Sequence, residues 1–196
     1  MILKPFNVKI NKHFCEINNS DLKLGFLKEI NNKVLLMQQY YNYNYNLTFY
    51  HNALYYFPAN DRRYIVFGHD LEGYFVIDEQ NKKIYHLSDG KDGETFYSLV
   101  FCNTSINHFI NFNNIFIFMT LEQGKILNNE NKGDIDDEKI FDILDDYFTE
   151  CDPLSMTEDM FWYGRTYMLR DGFFPTNDSQ INFYKEMMLK LKISNE

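Results

Sequence analysis

The chain has 196 residues, 45% of them hydrophobic and 18% aromatic, with 19 Phe and 15 Tyr. That length and composition fit one folded domain of ordinary size with an aromatic-rich core, and they argue against extensive disorder. The net charge is −9 and no basic stripe is present, which argues against direct nucleic-acid binding, because phosphate contacts need clustered Lys and Arg.

The amino-terminal stretch MILKPFNVKINKHF has Lys4, Pro5 and no apolar run, so no secretory leader is expected. SDLKLGFLKEI can begin a short helix with Ser20 as its cap, and YNYNYNLTFY alternates like a strand with Tyr41, Tyr43, Tyr45, Leu47 and Phe49 on one face. Pro58 in YYFPAND marks a loop. Three short runs follow, YIVFG, GYFVID and KIYHL, each rich in β-branched and aromatic residues and separated by turn formers. They predict an antiparallel meander, which TFYSLVFC extends by one more strand. Thr104 or Ser105 then caps a helix in which Ile106, Phe109, Ile110, Asn113, Phe116 and Ile117 recur at near-helical spacing. Residues 122–135 read as a loop or as the end of that helix.

A second amphipathic helix is predicted in DDEKIFDILDDYFTE. It places Ile140, Phe141, Leu144, Tyr147 and Phe148 on one face and Asp142, Asp145 and Asp146 on the other. DPLSMTEDMFWYGRTYMLRDGF offers a further helix after Pro153, with Thr157 as a cap and Gly172 as a stop, and INFYKEMMLKLKI offers a last one. Sheet first and helices afterwards indicates an α+β fold: an antiparallel meander packed with helices.

Common catalytic signatures are missing: no GxGxxG or GxxxxGK[ST] follows a strand, and neither GxSxG nor HExxH occurs. His69, Asp70, Asp78, His86 and Asp89 could be assembled into a metal site. They sit where turns already favour polar residues, so none is expected. Cys102 with His108 and Asn103 imitates a nucleophilic pair, but Cys102 ends an apolar strand. Asp134, Asp136 and Glu138 lack the spacing of a calcium loop. Cys15, Cys102 and Cys151 show no metal-ligand spacing and read as free thiols of a reducing compartment. The apolar stretch Ile115–Met119 is far too short to span a membrane, and a cytoplasmic protein without cofactor or metal is expected.

Charge is the most localised feature. Residues 130–159 hold 12 acidic and 2 basic side chains, leaving the rest of the chain nearly neutral. A solvated helix face is the plainer reading, and a docking surface for a basic partner is the alternative that the concentration of charge in thirty residues favours.

IVFGHDLEGYFVIDEQNKKIYHLSD, followed by FYSLVFCNTSINHFINF, resembles the SUKH superfamily of bacterial immunity proteins. The resemblance runs through Gly68, Asp78, the run from Ile84 to Leu87, Asn103, Ser105 and Phe109. The later DPLSMTEDMFWYG, with Asp152, Pro153 and Trp162, looks most like the superfamily's fourth branch. It implies one SUKH-like domain over 1–196, with a poorly matched part at 1–60, the meander and helix at 64–121, and carboxy-terminal helices at 136–193. Gly68, Asp78, Asn103, Ser105 and Phe109 are expected to serve the architecture, Gly68 by allowing a turn.

The resemblance also implies a protein that neutralises a toxin, commonly a nuclease or deaminase, by one-to-one binding. The contact is expected on Asp136, Asp137, Asp142, Asp145 and Asp146, with Tyr147 or Trp162 as aromatic anchors. The competing expectation is a regulatory scaffold of the same superfamily that binds cellular partners and no toxin.

Overall fold

A computed structural model describes residues 6–9, 14–17, 26–30, 32, 49–70, 72–89, 96–127 and 137–171. It contains a seven-stranded sheet built from β1 (Phe6–Lys9), β2 (Cys15–Glu16), β3 (Phe49–Ala59), β4 (Arg62–His69), β5 (Gly73–Asp78), β6 (Ile84–Asp89) and β7 (Phe96–Asn103). Strand order is β1-β7-β6-β5-β4-β3-β2, and every neighbouring pair is antiparallel. Three helices follow: α1 (Ile106–Leu127), α2 (Asp137–Cys151) and α3 (Phe161–Arg170). A 3₁₀ turn at Pro153–Met156 separates the last two. This is the α+β arrangement that the order of elements predicts, with the meander β4 to β7 at its centre.

The strands read as unbroken apolar runs because both faces of the sheet are buried. Ile65, Phe67, Phe75, Ile77, Ile84 and Cys102 face the helices, where Phe109, Phe112, Phe116, Phe141, Leu144, Phe148, Trp162 and Leu169 meet them. The alternate residues Tyr64, Val66, Val76, Tyr85, Leu87, Leu99 and Phe101 form a second buried cluster with Phe57 and Met160. Side chains of period two thus fill two cores from one set of strands.

Several expectations change. Pro58 lies inside β3, paired with Arg63, rather than in a loop. Among the described residues β2 pairs with Tyr55 and Tyr56 and does not reach Pro58, whose missing N–H is tolerated on that side of the strand. The loop is instead the two-residue turn Asn60–Asp61, both with positive φ of 50° and 57°. That turn geometry matches the twist of the hairpin, and Asn and Asp tolerate it. Gly68 is not in a turn: it pairs with Tyr50 and Phe75 within β4, beside a register shift after Val66.

The expected helix after Pro153 is two pieces. Thr157 ends the 3₁₀ turn, and Met160 stands at the N-cap of α3. Asp159, with φ 69°, sits in the joint between them. Residues 26–30 are helical, while Ser20, the alternation from Tyr41 to Leu47, Gly172 and the helix expected at 181–193 lie outside the described residues.

Candidate protein-binding surface

Where β7 hands over to α1, the backbone leaves donors that need partners. Ser105 Oγ accepts the His108 N–H at 3.2 Å, the side-chain cap the sequence suggests. Thr104 N–H donates at 2.8 Å to Oδ2 of Asp152, which lies on the far side of α2 in sequence and is buried. The same oxygen accepts Asn103 Nδ2 at 3.2 Å and stands 3.3 Å from His108 Nδ1. Asn103 Oδ1 accepts Trp162 Nε1 at 2.7 Å. Asp152 also starts the 3₁₀ turn, its carbonyl accepting the Ser155 N–H and hydroxyl. One buried carboxylate therefore ties the end of the sheet to α1, to the 3₁₀ turn and, through Asn103, to α3.

This arrangement corrects one expectation. Trp162 is 2% exposed and lies among Phe109, Phe112, Phe116, Phe148 and Phe161, with ring centroids 5.1–6.0 Å away. An aromatic ring enclosed in this way packs the core and offers nothing to a partner. Its indole N–H can be buried there because Asn103 satisfies it. Phe109 is likewise in the core, edge-on to Phe67 at 5.4 Å.

Asp78 is fully buried at the end of β5. It pairs with Arg62 and accepts the Gln80 N–H at 2.9 Å, closing the turn into β6. Asp70 and His86, set in the sequence as a conceivable metal pair, do meet, at 2.9 Å. Asp70 also accepts the Glu72 and Gly73 amides at 2.9 and 2.8 Å, and a cation from α3 joins it: Arg165 Nη2 donates to its Oδ2 at 2.6 Å. Burial pushes the Asp70 carboxyl up, but the His86 hydrogen bond, the His86 and Arg165 charges and the Glu72 amide outweigh it, leaving the pKa below the ordinary value. Among the described residues no group of three or more His, Cys, Asp or Glu is placed to hold a metal ion. Cys102 is fully buried, which raises its thiol well above the usual range, while the His108 ring contacts Thr104 and Asp152.

The acidic helix α2 has three sides. Phe141, Leu144 and Phe148 face the core, Phe148 stacking on Phe112 of α1 at 3.8 Å. On one flank, Arg170 in the last turn of α3 reaches Glu138 at 2.8 Å, Asp142 at 3.1 Å and Asp145 at 2.9 Å. Burial disfavours the Arg170 charge, but its hydrogen bonds to Asp142 and Asp145 more than compensate and raise its pKa. Asp142 and Asp145 therefore do not share one free face with Asp146.

The other flank carries Ile143, 60% exposed, and Tyr147, 40% exposed, with Asp146 and Glu150 between and beyond them. Tyr147, expected on the apolar face, turns outward, and its hydroxyl accepts Asn111 Nδ2 of α1 at 2.9 Å. Asp137 opens α2, and Asp136 lies outside the described residues. Sequence reasoning missed Arg170 and Arg165. The available signal was two arginines five residues apart on a helix that follows an acidic one.

The family model described as SUKH-4 immunity protein matches residues 47–168, more than half of the chain, and the chain belongs to this family of immunity proteins. The match runs from just before β3 into α3 and contains the whole Asn103–Asp152–Trp162 network. Searches of curated proteins and of solved structures find no match. No helix among the described residues is long and apolar enough to cross a membrane.

Proposed function

We propose that this protein binds a cognate toxin one to one and neutralises it, and that the toxin acts on nucleic acid as a nuclease or deaminase. The observation that carries this reading, beyond family membership, is the concentration of 12 acidic side chains in residues 130–159, most of them on or around α2. An enzyme that holds phosphates presents basic side chains, and a compact negative surface both attracts it and occupies the charges its substrate needs. We place the contact on Asp136, Asp137, Asp142, Asp145 and Asp146, with Tyr147 as an aromatic anchor. Binding takes place in the cytoplasm and needs no cofactor, metal, nucleic acid or membrane.

The test is protection. The locus is inspected for a toxin domain encoded beside this chain's gene, whose absence contradicts the reading, and that domain is expressed in a host with and without the chain. Survival only in its presence, together with a one-to-one complex of the purified proteins whose association slows as salt rises, is the expected result. Cell death at equal expression of both proteins contradicts it.

A further inference from the structure

We infer that the toxin docks on the outward flank of α2, with Ile143 and Tyr147 as apolar anchors and Asp146 and Glu150 as partners for Lys or Arg. This inference rests on the neutralisation reading above and narrows it. The whole acidic helix does not serve equally. Glu138, Asp142 and Asp145 already pair with Arg170, so a basic partner meeting them would have to compete with a cation held in place by α3. Asp146 and Glu150 are exposed and, among the described residues, carry no ion pair.

Ile143 and Tyr147 are four residues apart and therefore lie one above the other on the helix. A single exposed apolar side chain is ordinary, but an Ile–Tyr pair bordered by unpaired carboxylates combines the anchor and the charged rim of an interface. Tyr147 is also pre-set. Its hydroxyl is held by Asn111, so the ring loses little freedom on binding. The same contact brings α1 alongside, where exposed Asn114, one turn further on, extends the surface with a neutral amide.

Charge decides the occupant. A second copy of this chain meeting the flank about a twofold axis would set Asp146 and Glu150 against themselves, in a chain of net charge −9. A basic partner has no such cost. The partner surface that fits is an apolar side chain flanked by Lys or Arg.

The experiment measures binding of the purified neighbouring toxin domain to the full chain and to Ile143→Ala, Tyr147→Ala, Tyr147→Phe and Asp146→Lys/Glu150→Lys. Tyr167→Ala on α3, also exposed, is the control. Unchanged thermal midpoints establish that each variant is folded. Loss of either anchor is expected to weaken binding about thirtyfold, mainly through faster dissociation, with Tyr147→Phe, which keeps the ring but loses the Asn111 contact, weakened only a few-fold. The double reversal is expected to slow association and flatten its salt dependence, and Tyr167→Ala to change nothing. Wild-type affinity in all the flank variants overturns the docking site while leaving neutralisation intact. Failure of the wild-type chain to bind the toxin overturns the reading beneath it. A dimer of the free chain that dissociates on Ile143→Ala would show that the flank is a self-interface and contradict the inference.

Discussion

Asp152 is buried where no solvent can replace its partners, and one of its oxygens serves Asn103, Thr104 and His108 together. Removing it leaves the Thr104 N–H and the Asn103 amide without an acceptor at the point where sheet and helices join. Asp152→Ala is expected to lower stability by about 3 kcal/mol in chemical denaturation, because buried donors lose a charged partner. A loss under about 0.5 kcal/mol would show that the network does not hold the elements together. Asp152 and Trp162 were visible in the sequence as motif residues, but their contact across ten positions of chain, with Asn103 between them, was not. A lone Trp beside exposed tyrosines reads as an anchor until burial is known. Tyr147, on the apolar face by spacing and an anchor candidate by type, differs from Trp162: a Tyr at the edge of an apolar stripe can turn its polar end outward, and Asn111 holds it there.

At the level of elements, the meander was readable because β4, β5, β6 and β7 each carry a short apolar run bounded by turn residues. The same runs hid the burial of both faces, since Tyr64–Phe67 is consistent with any strongly buried strand. Pro58 signals a break in β3, yet a strand tolerates proline where no ladder bond is required. The Asn60–Asp61 pair two residues on was the better signal for the turn. The break between the 3₁₀ turn and α3 had no such signal. It falls at Asp159, whose φ of 69° leaves the helical region, with the Met160 N–H closing on the Thr157 carbonyl at 3.1 Å. The acidic run of α2 was legible as charge, but its division into an Arg170 flank and a free flank depends on where α3 packs, which no periodicity within α2 records.

Over the whole molecule, acid should weaken the fold earlier than carboxylates alone would require. His51 lies against His69, with Nε2 and Nδ1 3.0 Å apart. Burial, with the His69 charge adding, lowers its pKa from 6.5 to about 4, and burial also lowers that of His69 against the pull of Asp70. The folded state thus prefers neutral His51. Its stabilising effect is complete above pH 6.5 and is lost as pH falls from 6.5 toward 4, by an amount on the order of 3 kcal/mol. Asp70, whose pKa is below 3.8 in the fold, loses its share only below that value. Denaturation midpoints should therefore drop between pH 7 and pH 5, and His51→Phe should flatten that drop. A wild-type midpoint constant across this range would contradict the assignment.

The two-sided sheet and the Asp152 network make a rigid support, and α2 stands at its edge with one flank tied to α3 and the other open. That division is the core of the functional account. Hydrogen–deuterium exchange of the full chain, alone and in complex with the toxin it is proposed to neutralise, tests it most directly. Slowed exchange concentrated in residues 143–151 of α2 and in the adjoining turns of α1 around Asn111 and Asn114 is the predicted outcome. Protection confined to the β3–β4 hairpin or to α3, with α2 unchanged, would contradict it.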